Sequence, residues 1–272
     1  MHSTINRDTV LCMSLSRRPG DTGTRFHNFL YRELGLNYIY KAFSTKDIVA
    51  AIGGVRALGV RGCGISMPFK EAVIPLVDEM TPSAAAIQSV NTIVNDDGWL
   101  RAYNTDYAAV RSLLDSHGVA RDASYAVLGS GGMAKAVATA IRDAGFSRGA
   151  IVARNQAAGK ALADAVGVAW RPTIGGLRPE LIVNVTPIGM EGGPEANELA
   201  FPREVVEAAS TVFDVVALPI ETPLVRLGRE LGKKLIHGGE VMTLQAVEQF
   251  VLYTGLRPEP DLIARAQAFA RA

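Results

Sequence analysis

Gly129-Ser130-Gly131-Gly132-Met133-Ala134 follows the apolar run Tyr125-Ala126-Val127-Leu128 and leads into an Ala-rich stretch, Lys135 to Ala144, of helical period. The order Gly-x-Gly-x-x-Ala between a strand and a helix points to dinucleotide binding. The small residues allow a tight turn, let backbone N–H groups approach a pyrophosphate, and pack the helix close on the strand. A lone Gly-x-Gly says little, whereas strand, glycines and helix in succession are far more specific. A glycine-rich turn that binds nothing is the alternative. In NAD binders a carboxylate about 20 positions past the glycines holds the ribose 2′-hydroxyl. Ile151-Val152-Ala153-Arg154-Asn155-Gln156 has none, the next being Asp164, and Arg154 is a basic group placed to meet a 2′-phosphate. The stretch favours NADP and leaves NAD open, since an ordinary surface arginine would read the same.

Two further residues could move a proton. Lys70 lies in Ser66-Met67-Pro68-Phe69-Lys70, where Pro68 restricts the turn before a helix start. Asp106 follows Asn104-Thr105 at the expected junction of two domains, and ligands collect in clefts between domains. A lysine facing an aspartate in such a cleft could shuttle a proton while a nicotinamide takes a hydride. On spacing alone, Lys70 reads as a solvated lysine and Asp106 as a first-turn carboxylate favoured by the helix dipole. His27 lies on an amphipathic helix and reads as a packed or capping residue. His237 precedes Gly238-Gly239 at a strand end. Neither has companions at metal-ligand spacing, so no metal is expected.

The elements that position these residues fall into three pieces. Up to Thr105, strands and helices alternate. Strands are expected at Thr9–Leu15, Tyr38–Phe43 and Gly62–Met67, and helices at Arg25–Leu34, from Asp47 to Leu58, and at Phe69–Met80. Gly35 stops the first helix, and Ser44 with Asp47 has a capping-box-like spacing at the second. Ser89–Asn95 and Trp99–Tyr103 form a hairpin about Asn95-Asp96-Asp97-Gly98. From Asp106, short apolar strands at Tyr125–Gly129, Ala150–Arg154, Val168–Trp170, Leu181–Val185, Val212–Val216 and Lys234–Ile236 alternate with helices or loops, as βαβ units require. Helices at Val241–Tyr253 and Asp261–Arg271 close the chain and are expected to pack back on the first domain. The fold class is α/β in two domains. Residues 1–105 with 239–272 form an α/β substrate domain, and 106–238 form a doubly wound Rossmann domain for the dinucleotide.

Composition excludes other classes. The 272 residues can bury a large core, and 28 Lys and Arg against 27 Asp and Glu leave no field to draw nucleic acid or an anionic membrane. Cys12 and Cys63 sit in apolar strand-like runs, too few and scattered for a disulfide framework, and buried thiols favour the cytoplasm. Met1–Asp8 is polar without an apolar signal segment, and no run of about 18 apolar residues marks a membrane span.

Several spaced motifs carry a resemblance across nearly the whole chain. They are Ser14-Leu15-Ser16, Pro68-Phe69-Lys70, Asn91-Thr92, Asn104-Thr105-Asp106, Asn184-Val185-Thr186-Pro187-Ile188-Gly189-Met190, Glu221-Thr222-Pro223-Leu224 and Gln245-Ala246. In this order they resemble the shikimate/quinate dehydrogenase family. The resemblance implies an NAD(P)-dependent oxidoreductase moving hydride to or from a secondary alcohol of a shikimate-like cyclic hydroxy-carboxylic acid. It implies Lys70 and Asp106 as the pair that handles the hydroxyl proton. Asn91, Ser66 and Gln245 would hydrogen-bond ring hydroxyls, and Ser14 and Ser16 would bind the carboxylate. Gly129, Ser130, Gly131, Gly132, Met133 and Ala134 would cradle the pyrophosphate, and Arg154 matches the arginine on the 2′-phosphate. Thr186 and Val215 would line the cofactor pocket, with Gly238 against the nicotinamide. Partners would be a small hydroxy acid, with monomer and homodimer both open.

The chain also departs from the pattern. Arg17-Arg18-Pro19-Gly20-Asp21-Thr22-Gly23-Thr24-Arg25-Phe26 lengthens the segment between Ser16 and His27-Asn28 and brings three arginines. Gly64 stands where the family often has asparagine, Ser66 replaces threonine, and Ala217 replaces a tyrosine that contacts substrate. Losing that phenol removes a hydrogen bond, of order 1 kcal/mol. The chain resembles the divergent shikimate-dehydrogenase-like branch, expected to act weakly on shikimate itself. A cofactor-binding regulatory module with a degenerate pocket is the competing function.

Overall fold

The computed structural model describes residues 5–272, so the start of the polar stretch Met1–Asp8 lies outside the described residues. The chain divides into two compact units, one reaching to Thr105 and including Thr243–Ala272, the other spanning Asp106–Met242.

The first unit is built on a mixed sheet of β1 (Val10–Ser16), β2 (Tyr38–Ser44), β3 (Gly62–Ile65), β4 (Glu79–Met80), β5 (Thr92–Asp96) and β6 (Trp99–Tyr103). Their order is β2-β1-β3-β5-β6-β4, with β1 parallel to β2 and β3, and β5 antiparallel to β3 and β6. Alternation along β1 divides the core. Leu11, Met13 and Leu15 pack with Ile52 and Val55 of α2 (Ile48–Ala57), while Cys12 faces Phe26 and Leu30 of α1 (Thr22–Glu33). Ser14 and Ser16 share the Cys12 face. On that side α9 (Gly238–Thr254) contributes Val247, Phe250 and Tyr253, and α10 (Pro260–Arg271) contributes Ala266 and Ala270. The expected return of the C-terminal helices to the first domain is thus observed. A Cβ at Gly62 would come within 2.2 Å of the Tyr253 ring, so only glycine admits α9 this closely.

Local expectations fared differently. The hairpin turns at Asp97 and Gly98, both with positive φ (51° and 92°), the two-residue geometry that Asp-Gly favours. The first helix starts at Thr22, so only Arg17 and Arg18 remain in the preceding loop. Arg25 is instead held on α10, donating to the Phe269 carbonyl at 2.8 Å. Ser44 does not join a capping box. Asp47 alone caps α2, accepting from Ala50 N at 3.0 Å, while Ser44 donates to the Arg17 carbonyl.

The helix expected at Phe69–Met80 does not form. Turns run from Met67 to Val73, a short 3₁₀ helix covers Ile74–Leu76, and Glu79–Met80 joins the sheet as β4. Pro75 has no N–H to continue an α-helix, and β6 captures the segment instead. Asp78 N donates to Leu100 O at 2.9 Å and Thr81 N to Ala102 O at 3.0 Å. A helix not foreseen, α3 (Pro82–Ile87), follows, with Pro82 in its first turn.

The second unit opens with α4 (Thr105–Ser116), whose first residue belongs to the first unit. Its sheet is wholly parallel, in the order β12-β11-β10-β7-β8-β9. The strands are β7 (Tyr125–Leu128), β8 (Gly149–Val152), β9 (Ala169–Arg171), β10 (Leu181–Asn184), β11 (Thr211–Asp214) and β12 (Lys234–His237). Between them run α5 (Gly132–Asp143), α6 (Gln156–Val166), α7 (Arg203–Ala208) and α8 (Pro223–Glu230). β7, β10 and β11 are buried throughout or nearly so, as expected for central parallel strands covered on both faces. This is the doubly wound α/β domain expected, with strand order reversing at β7 beside β10. Among the described residues no helix is long and apolar enough to cross a membrane.

Candidate functional site

In the first unit the polar residues gather at the carboxyl ends of β1 and β3. Ser14 pairs with Gly64 across the sheet, and Gly64 pairs with Thr92. Asn91, 1 % exposed, uses its side-chain oxygen fully. That oxygen accepts from Thr92 Oγ1 at 2.9 Å, Thr105 N at 2.8 Å and Thr105 Oγ1 at 3.1 Å. Its Nδ2 is buried with no protein acceptor, and so is Oγ of Ser16. Buried donors in a folded chain are nearly always paired, so two such orphans on one sheet edge leave donors available to an acceptor from outside the chain.

Around them, Ser66 is exposed at the end of β3, with its amide on Leu15 O at 2.9 Å. Half-buried Lys70 is fixed through its backbone, its carbonyl accepting from Val90 N at 2.8 Å beside Asn91. Gln245 is half-buried on α9. Of the residues expected on the substrate side, Ser14, Ser16, Ser66, Asn91 and Lys70 therefore share one sheet end, with Gln245 on the helix covering it.

Two residues that sequence reasoning missed complete this wall. Gln249, one turn beyond Gln245 on the same helix face, donates from Nε2 to Thr92 Oγ1 at 3.0 Å and Asn91 O at 3.3 Å. Tyr40 of β2 reaches over Gly64. A Cβ at Gly64 would stand 3.1 Å from Tyr40 Oη, 3.3 Å from Ser14 Cβ and 3.4 Å from Gln249 Nε2. The side chain missing at Gly64 is thus replaced by the Tyr40 phenol and the Gln249 amide. Burial pushes the Tyr40 phenol up, opposed by its hydrogen bond with Ser14. The usable signal was a second glutamine one helical turn past Gln245. Tyr40 gave none, because aromatic residues on strands are ordinary core. His27 is such core: it stacks on Tyr40 with ring centroids 4.4 Å apart, and burial drives its pKa down to about 3.

In the second unit, the residues expected to hold a dinucleotide lie along the carboxyl edge of the parallel sheet. Gly129 leaves β7 with φ 131°, and its N–H donates to Val152 O at 2.8 Å. A Cβ there would meet Val185 Cγ2 at 2.7 Å. Gly131 is the N-cap of α5 and contributes no side-chain cap, so the first-turn amides from Gly132 through Ala134 present N–H groups, with Ser130 beside them. The cradle therefore fits a pyrophosphate. Thr186 donates to Asn184 Oδ1 at 2.6 Å just past β10, and Val215 follows β11 with its amide on Asn184 O at 3.0 Å. At Gly238 a Cβ would lie 2.2 Å from Val216 O, which admits no other residue. Arg154 projects beyond β8, its side chain 82 % exposed and 3.5 Å from Glu195. Asp106 is buried in the first turn of α4.

A family model described as the shikimate dehydrogenase substrate binding domain matches residues 22–93. A shikimate dehydrogenase-like protein of Haemophilus influenzae is 56 % identical over 267 residues, 98 % of each chain. The chain belongs to the shikimate dehydrogenase family. Within that family it sides with the shikimate dehydrogenase-like branch. A solved shikimate 5-dehydrogenase-like protein superposes with TM-score 0.96 at 55 % identity, covering 99 % of this chain and 100 % of that one. The shikimate 5-dehydrogenase of Thermus thermophilus, solved with NADP(H) and shikimate, superposes with TM-score 0.87 at 28 % identity, over 96 % of this chain and 99 % of that one.

One further part of this shikimate dehydrogenase family member escaped sequence reasoning. Asp214, fully buried at the end of β11, accepts from Thr222 Oγ1 at 2.7 Å, Asn184 Nδ2 at 3.0 Å and Val216 N at 3.1 Å. Burial pushes its carboxyl up to about 6 against those three hydrogen bonds. Through Asn184 it fixes Thr186, and through Val216 the backbone over Gly238. A carboxylate closing an apolar strand was the visible signal. His237 sits nearby, its amide donating to Glu240 Oε1 at 3.1 Å, while His117 meets Glu240 Oε2 at 2.7 Å. Among the described residues no group of three or more His, Cys, Asp and Glu could hold a metal ion.

Proposed function

We propose that this chain is an NAD(P)-dependent oxidoreductase that moves hydride to or from a secondary alcohol of a shikimate-like cyclic hydroxy-carboxylic acid. The observation that carries the reading is Asn91, whose side-chain oxygen is saturated by protein donors while its buried Nδ2 has none to serve. A ring hydroxyl supplies that acceptor, and the orphan Ser16 hydroxyl, with Ser14 two residues away on the same strand face, suits a carboxylate. Ser66 and Gln245 complete the grip on the ring. When bound, the dinucleotide supplies the nicotinamide carbon that accepts or returns the hydride.

The chain supplies the rest. Lys70 takes the hydroxyl proton as the carbon loses hydride, with Asp106 as its partner in the exchange, and in the reverse direction the proton returns by the same pair. Backbone amides from Gly129 to Ala134 hold the pyrophosphate, Thr186 and Val215 line the bed, and Gly238 leaves room for the ring. Arg154 favours NADP, while NAD, with only a hydroxyl there, is still admitted. The reading carries a cytoplasmic location, supported by two buried free thiols, with burial pushing Cys12 up to about 11. It also carries a particle no larger than a homodimer, which light scattering reads directly.

A panel of shikimate, quinate and aminated analogues, followed by absorbance of the reduced nicotinamide with each cofactor, tests the reading. Lys70→Ala should abolish turnover and leave dinucleotide affinity nearly unchanged. Turnover comparable to the parent chain would remove Lys70 from the chemistry.

A further inference from the structure

The sheet order β10-β7-β8 puts the ends of β8 and β10 on either side of the glycine turn that leaves β7. Gly129 touches both flanks, bonded to Val152 O of β8 and packed against Val185 just past β10. Arg154 projects from the β8 flank. From the β10 flank comes the loop carrying Glu195, folded back by the bond from Gly189 N to Glu195 O at 2.9 Å. Arg154 Nη1 and Glu195 Oε1 meet at 3.5 Å, so this pair spans the turn that receives the pyrophosphate. The segment after β8 has no carboxylate of its own before Asp164, and the tertiary fold brings one there from 41 residues downstream.

We propose that Glu195 is a cofactor-discriminating residue: its carboxylate shares Arg154 with the 2′-phosphate of an NADP-type dinucleotide and repels that phosphate. The proposal rests on the reading that the Gly129 turn binds a dinucleotide. A phosphate monoester carries a charge of about −1.5 to −2 near neutral pH, and to reach Arg154 it must sit beside Glu195 or displace it. An NAD-type dinucleotide offers only a hydroxyl at that point, which Glu195 accepts as a donor without penalty. The arginine side chain is 82 % exposed and the glutamate 25 %, so the pair is weak and easily opened. Glu195 therefore tunes the preference for NADP rather than blocking it. In effect the fold places an acid near Arg154 from across the turn, in the role that sequence alone looks for about 20 residues past the glycines.

Calorimetric titration of the full chain with NADP+ and NAD+, each with the parent and with Glu195→Gln, tests the proposal. The variant should bind NADP+ roughly three- to tenfold more tightly and NAD+ within about twofold of the parent, the gain shrinking as salt is added. Glu195→Asp, which keeps the charge and withdraws it, should fall between the two. Equal changes for both cofactors, no change for NADP+, or weaker NADP+ binding would overturn the role of Glu195 alone. Failure of the parent chain to bind either cofactor would overturn the dinucleotide reading, and the proposal with it. Circular dichroism confirms that the surface substitutions leave the fold intact.

Discussion

The second unit presents backbone at its carboxyl edge, whereas the first presents side chains drawn from separate segments. Along the carboxyl edge of the parallel sheet the decisive features are absent side chains: a φ at Gly129 that only glycine tolerates well, amides at the start of α5, and a carbonyl 2.2 Å from any Cβ at Gly238. Around Asn91 the decisive features are hydroxyls and amides from β1, β2, the start of β5 and α9, packed so closely that Gly64 leaves room for Tyr40 and Gln249. The contrast teaches that one surface is built by what the backbone can approach. The other is built by which side chains the fold happens to bring together.

Gly238→Ala should break the backbone half most severely. Its methyl has no place beside the Val216 and Val215 carbonyls, and a backbone shift at the edge should cost about 3 kcal/mol or more. Dinucleotide affinity, read by calorimetry, should collapse with it. Retained affinity would show that close approach at Gly238 does not govern that edge.

Asp214→Asn sharpens the comparison by asking how much a buried side chain supports the backbone edge. The folded-state pKa of Asp214 is raised from 3.8 to about 6. Its contribution to stability is therefore fully present below about pH 4 and is lost as pH rises through about 6. That loss is about 3 kcal/mol at most, at 1.36 kcal/mol per unit. The variant cannot ionise, so its stability relative to the parent should improve between pH 4 and pH 7 in denaturant titrations. A difference independent of pH would mean that the carboxyl titrates normally in the fold.

The smallest effect is expected at Gln249→Leu, in the side-chain half. Thr92 Oγ1 and Asn91 O lose a donor, a cost of about 1–2 kcal/mol for buried acceptors left unpaired. KM for a hydroxy acid should rise while dinucleotide affinity holds. A change confined to the dinucleotide would remove Gln249 from the substrate wall.

Legibility follows the same division. The parallel strands of the second unit were read to within two residues at each end, β7, β10 and β11 because strands buried on both faces are near-continuous apolar runs. The glycine turn was read because its requirement is local. Phe69–Met80 was misread because its spacing suited a helix, while Pro75 and the pull of β6 decided otherwise. Ser16 and Asn91 could be named from motifs, but their orphan donors could not, since pairing depends on neighbours far along the chain. Gln249 and Tyr40 were missed for that reason, and so was the partner of Arg154.

By itself the amino-acid sequence determined the alternation of strands and helices, the glycine turn after β7 and the family to which the chain belongs. Periodicity, turn chemistry and ordered motifs are properties of neighbouring residues and need no fold to be seen. Only the tertiary structure decided that Tyr40 and Gln249 fill the space over Gly64, that Asp214 is buried with a raised pKa, and that Glu195 meets Arg154. Each depends on segments tens to hundreds of residues apart meeting within a few ångströms, and desolvation and pairing exist only once they have met.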